Sequence, residues 1–534
     1  MNNRKKSARN MREDDILAII NSSDSDVSDF SASDSEYIPD SENEVDESPS
    51  EDDEVTDIDN AIVLSSESSN LPVVWGEPSV LFRPRFSITE DFEPILLAQI
   101  SRNATEFEVF KCIFPESLFI FIAQCTNERL SILKKQKSYN IAPTDASEIK
   151  ILLGITLIMG YNQLPDISDY WSQNESMGNE YIKKAMSRTR FQALMSKLYF
   201  NFPEKPEAAS KLYYIEEVTN CLKYTFVKTR TDSLRQSIDE SMAKFKSRSS
   251  LKQYLPMKPT KRGIKIWQRC DSKTGYTYDF NIYAGKEECS TLSGTLGERV
   301  VFKLCKTIRN PDTVLVFDRF FTSYNLMKTL PFACVGTCIQ NRKNLPTISD
   351  RLKKGECKFC ISETGIMVAK WQDSREVIVM SNCHSPTMSI VFRKQKDGSR
   401  VVTNCPKALA FYNENMGGVD ISDQKVKTYE QNRKSSKWWR KVFFKLFMTS
   451  IVNAHIVYQE NIHKKFQLKN FIVPLAEQLI AQGRVGTKVK RTSTTKGPRS
   501  KRAKKMLNVG DHMPVKGDRR RRCVLCTSIK KEKP

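Results

Sequence analysis

Residues 263–285, GIKIWQRCDSKTGYTYDFNIYAG, contain the pattern that decides the fold. Two runs rich in β-branched and aromatic residues, 263–271 and 276–285, flank the tetrapeptide SKTG, which is typical of a hairpin turn. Just before them, the alternating apolar residues of LRQSIDESMAKFKS, residues 234–247, predict another strand. We therefore predict three successive strands in this part of the chain.

Two helix–strand units follow the predicted hairpin. GERVVFKLCKTI (297–308) and SYNLMKTL (323–330) have a helical pattern, whereas DTVLVFD (312–318) and PFACVGTCI (331–339) are short apolar runs that predict buried strands. Three strands, a helix, a strand, a helix and a strand is the order of an RNase H-like domain, which has a mixed α/β fold. Element order alone does not decide that assignment.

Helical patterns lie on both sides of this mixed unit. TDASEIKILLGITLIMGY (144–161) predicts a buried helix that begins at an Asp145 N-cap, with Glu148 at the capping-box spacing. WWRKVFFKLFMTSIVNAHIVYQE (438–460) predicts a second long helix. Short Lys-rich strands between residues 345 and 403 interrupt the mixed unit. The sequence thus predicts a helical scaffold, an α/β core and an insertion.

Charge is distributed unevenly over the 534 residues, whose formal net charge is +21. The segment from Glu13 to Phe82 has 21 acidic residues and no Lys or Arg, whereas residues 83–534 carry +37. A Ser-, Asp- and Glu-rich segment cannot bury enough apolar surface to fold, so we predict that residues 1–85 form a disordered acidic tail. The basic body favours a polyanionic partner, with a solvated basic surface as the alternative.

Other features exclude a secreted or membrane-bound protein. The 14 cysteines lack the regular spacing of a disulfide framework, and the chain opens without a signal-peptide pattern. The longest apolar run, 151–160, is about half of the ~20 residues that span a bilayer. KVKRTSTTKGPRSKRAKK (488–505) resembles a two-cluster nuclear localisation signal, or is a basic DNA-gripping linker. We expect reduced thiols and a nuclear location.

Three acidic residues stand out by their context. Asp239 lies in the first predicted strand, Asp318 ends the buried strand DTVLVFD, and Asp420 opens a helix in MGGVDISDQ. Carboxylates at neighbouring strand ends and on an adjacent helix can bind Mg²⁺, which prefers oxygen ligands. Asp423 lies three residues after Asp420, on the same helical face. Solvated strand ends or helix caps remain the alternative for each acid.

At these residues the chain resembles the piggyBac transposase family. IDESMAKFKSRSSLKQYLPMKPTKRGIKIW (238–267), VFDRFFTS (316–323) and FYNENMGGVDISDQ (411–424) are similar to that family's three catalytic blocks, in the same order. RKSSKWWRKVFFKLF (433–447) is similar to the Trp-containing helix that follows them. The resemblance extends from about residue 90 to residue 480.

The resemblance implies a cut-and-paste DNA transposase. It implies that Asp239, Asp318 and Asp420 are the catalytic acids, that Asp423 is an accessory acid, and that these residues bind two Mg²⁺ or Mn²⁺ ions. Two such ions assist in-line displacement at phosphorus. Family members act as homodimers on double-stranded DNA, excise an element by its ends and insert it at TTAA.

The family fold is an RNase H-like catalytic domain that is split by an insertion domain and embraced by an all-α dimerisation and DNA-binding region. On this chain it implies the following domains: 1–85 acidic tail; 86–233 helical region, first part; 234–344 catalytic core, first part; 345–403 insertion domain; 404–429 catalytic core, last segment; 430–483 helical region, second part; 484–510 basic linker; and 511–534 a truncated Cys/His-rich module.

Basic residues near the catalytic blocks are candidate phosphate contacts. They are Lys258, Lys261, Arg262, Lys265, Arg342 and Lys343. A solvated surface is the alternative for each of them. Trp438 and Trp439 are more typical of a helix core than of a base-stacking platform.

Three features depart from the family pattern. His512, Cys523 and Cys526 resemble the beginning of a zinc module, but a structural zinc site needs four ligands and only three are present, so we expect a truncated site. Cys357 and Cys360 have chelating spacing without a second pair, which favours two buried thiols on a strand. Ile339 replaces an Arg that is frequent in the family.

Two functional hypotheses from different classes therefore stand beside each other. The first is an active transposase, which the three acids favour. The second is a domesticated DNA-binding protein that does not cut, which the short C-terminal module favours. A structure-directed nuclease on the same fold would need neither the helical region nor the insertion.

Overall fold

The computed structural model describes residues 73–486, except 91–92, 138–140, 175, 257, 286–293, 349–350, 395–398 and 432–433. The predictions for residues 1–72, for the nuclear localisation segment and for the Cys/His module with His512, Cys523 and Cys526 lie outside the described residues.

Helices dominate both ends of the described chain. They are α1 (Glu106–Ile113), α2 (Glu116–Lys137), α3 (Ala146–Tyr161), a 3-10 turn (Ile167–Trp171), α4 (Glu180–Ala185), α5 (Arg188–Lys197), α6 (Tyr213–Thr229), α7 (Leu296–Cys305), α8 (Tyr324–Thr329), α9 (Lys407–Asn415), α10 (Gly418–Tyr429), α11 (Trp438–Asn461) and α12 (Leu468–Gly486).

The strands lie mainly in the middle of the chain. They are β1 (Trp75–Gly76), β2 (Arg235–Lys244), β3 (Lys252–Tyr254), β4 (Arg262–Asp271), β5 (Thr277–Ile282), β6 (Val314–Phe317), β7 (Ala333–Cys338), β8 (Cys357–Ser362), β9 (Met367–Gln372), β10 (Glu376–Ser381), β11 (Met388–Lys394) and β12 (Arg400–Pro406). The predicted order of three strands, helix, strand, helix and strand is confirmed, with the short β3 added.

Ten strands form one mixed sheet in the order β1-β8-β9-β10-β7-β6-β2-β4-β3, and β5 also pairs with β4. β2, β6 and β7 are parallel, whereas β4 pairs antiparallel with β2 and β5 pairs antiparallel with β4. Three strands from the segment 345–403 continue the same sheet, because β10 pairs antiparallel with β7. β11 and β12 form a separate hairpin.

Alternation along the central strands divides the apolar residues between the two faces of the sheet. Leu315 and Phe317 pack in one cluster with residues of α7 and α8. Val314 and Val335 pack in another cluster with residues of α9. The fold is therefore mixed α/β, with helices on both faces of a large sheet.

A third core joins the helices from the two ends of the chain. It contains buried residues of α1 to α3 and α6 together with residues of α11 and α12. α3 and α12 pack closely, because a Cβ on Gly154 would lie 2.8 Å from Ile480, and a Cβ on Gly483 would lie 2.4 Å from the Ser147 carbonyl oxygen. The two helical segments thus fold as one bundle.

The prediction that residues 1–85 are disordered is wrong for residues 73–85. Trp75 pairs with Ser362 in the sheet, and its indole N–H donates to the Asn344 carbonyl over 3.1 Å. Phe82 packs against the same core as β9. These aromatic residues supply apolar burial that the acidic composition of the segment obscured.

The N-cap prediction for α3 is correct, whereas the capping box is not. The Asp145 carboxylate accepts from the Glu148 backbone N–H over 2.7 Å. The Glu148 carboxylate does not return the bond but accepts from Thr144 Oγ1 over 2.7 Å and pairs with Arg190 over 2.6 Å. An ion pair between helices replaces the reciprocal cap.

Two further predictions for the helices can be compared with the structure. Trp439 is buried in the bundle core, where it stacks on Tyr214, and Trp438 packs against that core, which confirms their assignment as core residues. Within the described residues, no single helix is long and apolar enough to cross a membrane, although one bent helix pair, Glu106–Ile113 with Glu116–Gln136, passes by length and composition alone.

Candidate active site

The parallel pairing of β2 and β6 brings Asp239 and Asp318 together. The register pairs Ile238 with Phe317, so the next residue on each chain segment is an aspartate. Ile238 and Phe317 both pack on the α7–α8 face, so the two aspartates that follow them belong to the opposite face. The Phe320 backbone N–H donates to Asp318 Oδ1 over 3.0 Å, which fixes the turn after β6.

Three carboxylates converge at this edge of the sheet. One oxygen each from Asp239, Glu240 and Asp318 lies within 4.8 Å of the other two. Burial, followed by the charge of Glu240, raises the pKa of Asp239 to about 7. Burial, followed by the charge of Asp239, also raises the pKa of Asp318. Crowded carboxylates of this kind repel one another unless a cation lies between them.

Lys258, in the loop between β3 and β4, supplies one positive charge to this cluster. Its Nζ lies 2.8 Å from Asp239 Oδ2 and 3.8 Å from Glu240 Oε1. Burial opposes the charged ammonium, but Asp239, Glu240 and then Asp420 raise the pKa of Lys258 above its ordinary value. In the structure Lys258 neutralises part of the acidic cluster, and its predicted contact with DNA phosphate stays a prediction.

The helix α10, which carries Asp420, lies along β2. A Cβ on Gly418 would lie 2.5 Å from Ser237 Oγ, and Ser241 Oγ donates to Asp423 Oδ1 over 2.7 Å. Asp420 lies between these two contacts on the helix, as Asp239 lies between Ser237 and Ser241 on the strand. Asp420 is exposed and is outside the group of three carboxylates, but its charge reaches Lys258.

Asp423, the fourth predicted acid, is bound on two sides. Besides the Ser241 hydroxyl, the Lys445 ammonium lies 2.9 Å from the same oxygen, Oδ1. Asp423 therefore faces β2 and α11, and it is not among the carboxylates that lie within 4.8 Å of one another.

Glu240 is the site residue that the sequence analysis missed. It directly follows Asp239 on β2, and strand alternation assigns successive side chains to opposite faces, which argues against a shared site. Their ligand oxygens nevertheless lie within 4.8 Å of each other, at the point where β2 has passed its last residue pair with β6. The adjacent acids in SIDESM were the only available signal.

The remaining predicted basic residues divide into exposed and internally bound ones. Lys261, Arg262 and Lys343 are exposed. The Arg342 guanidinium donates to the carbonyls of Arg319 and Phe320, directly after Asp318. The Lys265 ammonium lies 5.7 Å from the centre of the Phe320 ring and 5.8 Å from the rings of Trp267 and Tyr283.

The two cysteines of ECKFC pack on opposite sides of the sheet. Cys360 contacts the α7–α8 core and Cys357 contacts the α9 core. Both thiols are free and half-buried rather than fully buried. Residues three apart on a strand point to opposite faces, so this pair cannot chelate one ion. Ile339 is exposed just after β7.

The donor set of the cluster fits a hard divalent cation. Carboxylate oxygens are the ligands that Mg²⁺ and Mn²⁺ prefer, and Asp420 on the adjacent helix could add another. Asp239 and Asp318 are held by backbone elements, so their separation is set by the fold and not by flexible side chains alone. The arrangement can concentrate positive charge beside a phosphodiester.

Known proteins with similar sequences indicate the family of this chain. The family model described as Transposase IS4 matches residues 105–455. The human PiggyBac transposable element-derived protein 2 is 25% identical over 480 residues, which cover 85% of this chain and 77% of that protein. The human PiggyBac transposable element-derived protein 3 is 26% identical over 333 residues, which cover 59% of this chain and 56% of that protein.

A solved structure also resembles this chain. It is a cryo-EM structure of a piggyBac transposase synaptic complex with hairpin DNA, with a TM-score of 0.63 and 23% sequence identity over 77% of this chain and 85% of that chain. The likeness concerns the fold. The family model, which spans most of the described residues, and the two human relatives show that this chain belongs to the piggyBac transposase family.

Proposed function

We propose that this protein is a DNA transposase that cuts and rejoins DNA by metal-dependent phosphoryl transfer. The observation that carries the proposal is the convergence of Asp239, Glu240 and Asp318 within 4.8 Å, with Asp420 on the adjoining helix. Asp239, Asp318 and Asp420 are the catalytic acids of this proposal.

An RNase H-like core supports the proposal. The strand order β5-β4-β2-β6-β7, antiparallel on one side of β2 and parallel on the other, is the arrangement expected of that core. The same proposal includes the boundaries of the core, of the insertion at 345–403 and of the dimerisation region at 86–233 and 430–483. They follow the family pattern.

The residues of the cluster have separate tasks in this chemistry. When bound, two Mg²⁺ or Mn²⁺ ions would activate the attacking oxygen and stabilise the charge that develops on the leaving oxygen. Asp239 and Asp318 hold a fixed negative pocket for them. In the absence of metal ions, Lys258 balances the charge of this pocket. Arg342 holds the backbone that follows Asp318.

Double-stranded DNA is the proposed substrate. Residues 83–534 carry +37, and phosphate neutralisation by such a surface releases counterions. The similar solved structure is a synaptic complex with hairpin DNA. We extend the proposal to a homodimer that excises an element by its ends, inserts it at TTAA and works in the nucleus. The exposed residues Lys261, Arg262 and Lys343 are candidate phosphate contacts.

The second candidate is a domesticated DNA-binding protein without cutting activity. It is favoured by the names of the human relatives, which are described as transposable element-derived proteins. The two functions share DNA binding and differ in whether the acidic cluster does chemistry.

A cleavage assay tests the proposal. The full chain is incubated with Mg²⁺ or Mn²⁺ and with duplexes that carry the inverted repeats flanking its gene, bordered by TTAA. Nicking at the repeat ends that disappears in Asp318→Ala supports the transposase. DNA binding without nicking, or nicking that survives Asp318→Ala, refutes the enzymatic function. Asp312→Ala, an exposed acid outside the cluster, is the matched control.

A further inference from the structure

The Asp423 carboxylate binds two side chains inside the protein. Ser241 Oγ donates to Asp423 Oδ1 over 2.7 Å, and Lys445 Nζ lies 2.9 Å from the same oxygen. These contacts join three elements, since Ser241 is on β2, Asp423 on α10 and Lys445 on α11. The oxygen with two donors is poorly placed to bind a metal ion as well.

The charge of Lys445 depends on this contact more than the charge of Asp423 does, because Lys445 is more deeply buried. Its side chain is 4% exposed, whereas that of Asp423 is 30% exposed. Burial opposes the ammonium, but Asp423 and then Glu430 raise the pKa of Lys445. An ammonium in the core of a helical bundle needs paired negative charge. Lys445 therefore favours an arrangement in which Asp423 and Glu430 stay close to α11.

The contact fixes the helix that carries Asp420. α10 touches β2 at its first residue, Gly418, and again at Asp423. Asp420 precedes Asp423 by three residues, so both lie on one side of the helix. A rotation or shift of α10 that broke the Asp423 contacts would also change the position of the Asp420 carboxylate relative to Asp239.

We propose that the buried Asp423–Lys445 ion pair, with Ser241, positions α10 and thereby Asp420, and that Asp423 is a positioning residue and not a metal ligand. This inference rests on the proposed function for its effect on cleavage, but the ion pair itself has a separate readout. It ties the helical bundle, through α11, to the strand that carries Asp239.

A rescue experiment distinguishes the two roles. Asp423→Asn leaves the Lys445 ammonium buried with Glu430 alone, so we expect a lower Tm and a loss of cleavage of about tenfold or more. Adding Lys445→Met removes the stranded charge. The amide oxygen introduced by Asp423→Asn can still accept from Ser241 Oγ and hold α10 on β2, so the double variant should recover Tm and return to within about threefold of wild-type cleavage, with the Mg²⁺ concentration for half-maximal cleavage unchanged.

A metal-binding Asp423 gives the opposite result. The double variant would then stay as inactive as Asp423→Asn, or would need much more Mg²⁺, and either outcome overturns the proposal. The matched control is Asp420→Asn with and without Lys445→Met, because Lys445→Met should not rescue the loss of a proposed catalytic acid.

Thermal unfolding keeps this test separate from the proposed function. If the wild-type chain cuts no DNA, the enzymatic function fails, while Tm still reports on the ion pair. Restoration of Tm by Lys445→Met in the Asp423→Asn background, but not in the Asp420→Asn background, supports the ion pair. An unchanged Tm in Asp423→Asn would refute it.

Discussion

Asp239 has an unfavourable charge in the folded protein when no cation is bound. Its pKa is raised to about 7, whereas an aspartate in an unfolded chain titrates near 3.9. Between these two values the folded protein holds a proton that the unfolded chain has released. The free energy of unfolding therefore falls as pH rises through this window.

Asp239→Asn should stabilise the metal-free protein at pH 8 and have little effect at pH 4. The substitution removes the charge that burial and Glu240 disfavour, while Lys258 keeps Glu240 at 3.8 Å. We expect Tm to rise by about 2 °C or more in chelator at pH 8. A fall in Tm would mean that the ion pair with Lys258 outweighs the cost of burial. Asp312→Asn, an exposed acid, is the control.

Divalent metal should reverse that order of stability. At pH 8, a ligand at a hundred times its Kd stabilises the fold by about 2.7 kcal/mol, so Mg²⁺ or Mn²⁺ should raise the Tm of the wild-type chain. Asp239→Asn and Asp318→Asn should lose this rise, and Asp312→Asn should keep it. Equal rises in all four proteins would remove the case for a metal site at the cluster.

At the scale of one element, α10 depends on a close approach to the sheet. Gly418 has no room for a side chain, because a Cβ would lie 2.5 Å from Ser237 Oγ and 2.6 Å from the Asp271 carbonyl oxygen. Gly417, one residue earlier, has no heavy atom within 4 Å of such a Cβ. Substitution of Gly418 or Gly417 by Ala adds the same methyl group at neighbouring positions, one without room for it and one with room.

Gly418→Ala should reduce cleavage by about tenfold or more, because it forces α10 away from β2 and moves Asp420. Gly417→Ala should leave cleavage within about twofold of wild type, since a Cβ there meets no heavy atom within 4 Å and the backbone φ of −73° suits any residue. DNA cleavage and far-UV circular dichroism of both variants check this. Similar activity of the two variants would contradict the proposed placement of Asp420.

Several elements were predictable from the sequence for a physical reason. The run VLVF is apolar at every position, as expected of a strand covered on both faces, and Asp318 follows directly where the strand ends. Gly275, at φ +74°, allows the turn between β4 and β5 that SKTG predicted. Local periodicity and turn chemistry contain this information.

Contacts between distant segments were not predictable in the same way. Lys258, Lys265 and Arg342 have the composition of phosphate contacts, yet in the structure they lie against Asp239, aromatic rings and backbone carbonyls. Glu240 required the register of β2 against β6. Such pairings depend on tertiary geometry, which a single sequence does not encode in its local pattern.

For the whole molecule, opposite charges occupy different parts of the chain. Residues 1–72 contain 20 acidic and 5 basic residues, and the rest of the chain is strongly basic. An acidic segment on the same chain as a basic body lowers the attraction for DNA phosphates at low salt, where screening is weak.

Deleting residues 1–72 should tighten binding to a random-sequence duplex severalfold at about 0.05 M salt and much less at about 0.5 M. Fluorescence anisotropy over a salt series measures both affinities. A full-length variant with the 20 acids changed to Asn or Gln separates charge from length. If the deletion has no effect at low salt, the acidic segment does not oppose DNA binding.

The sheet also joins parts of the chain that the family pattern treats as separate modules. β10 pairs with β7 from Val335 to Cys338, and β7 pairs in turn with β6, which precedes Asp318. Exchanging residues 345–403 between relatives therefore cannot be done by matching the flanking loops alone. A graft without a partner for β7 would leave an open sheet edge close to the proposed catalytic acids and favour aggregation between molecules. We therefore expect this segment to diverge together with the strands that it pairs with and not to be exchanged as a unit.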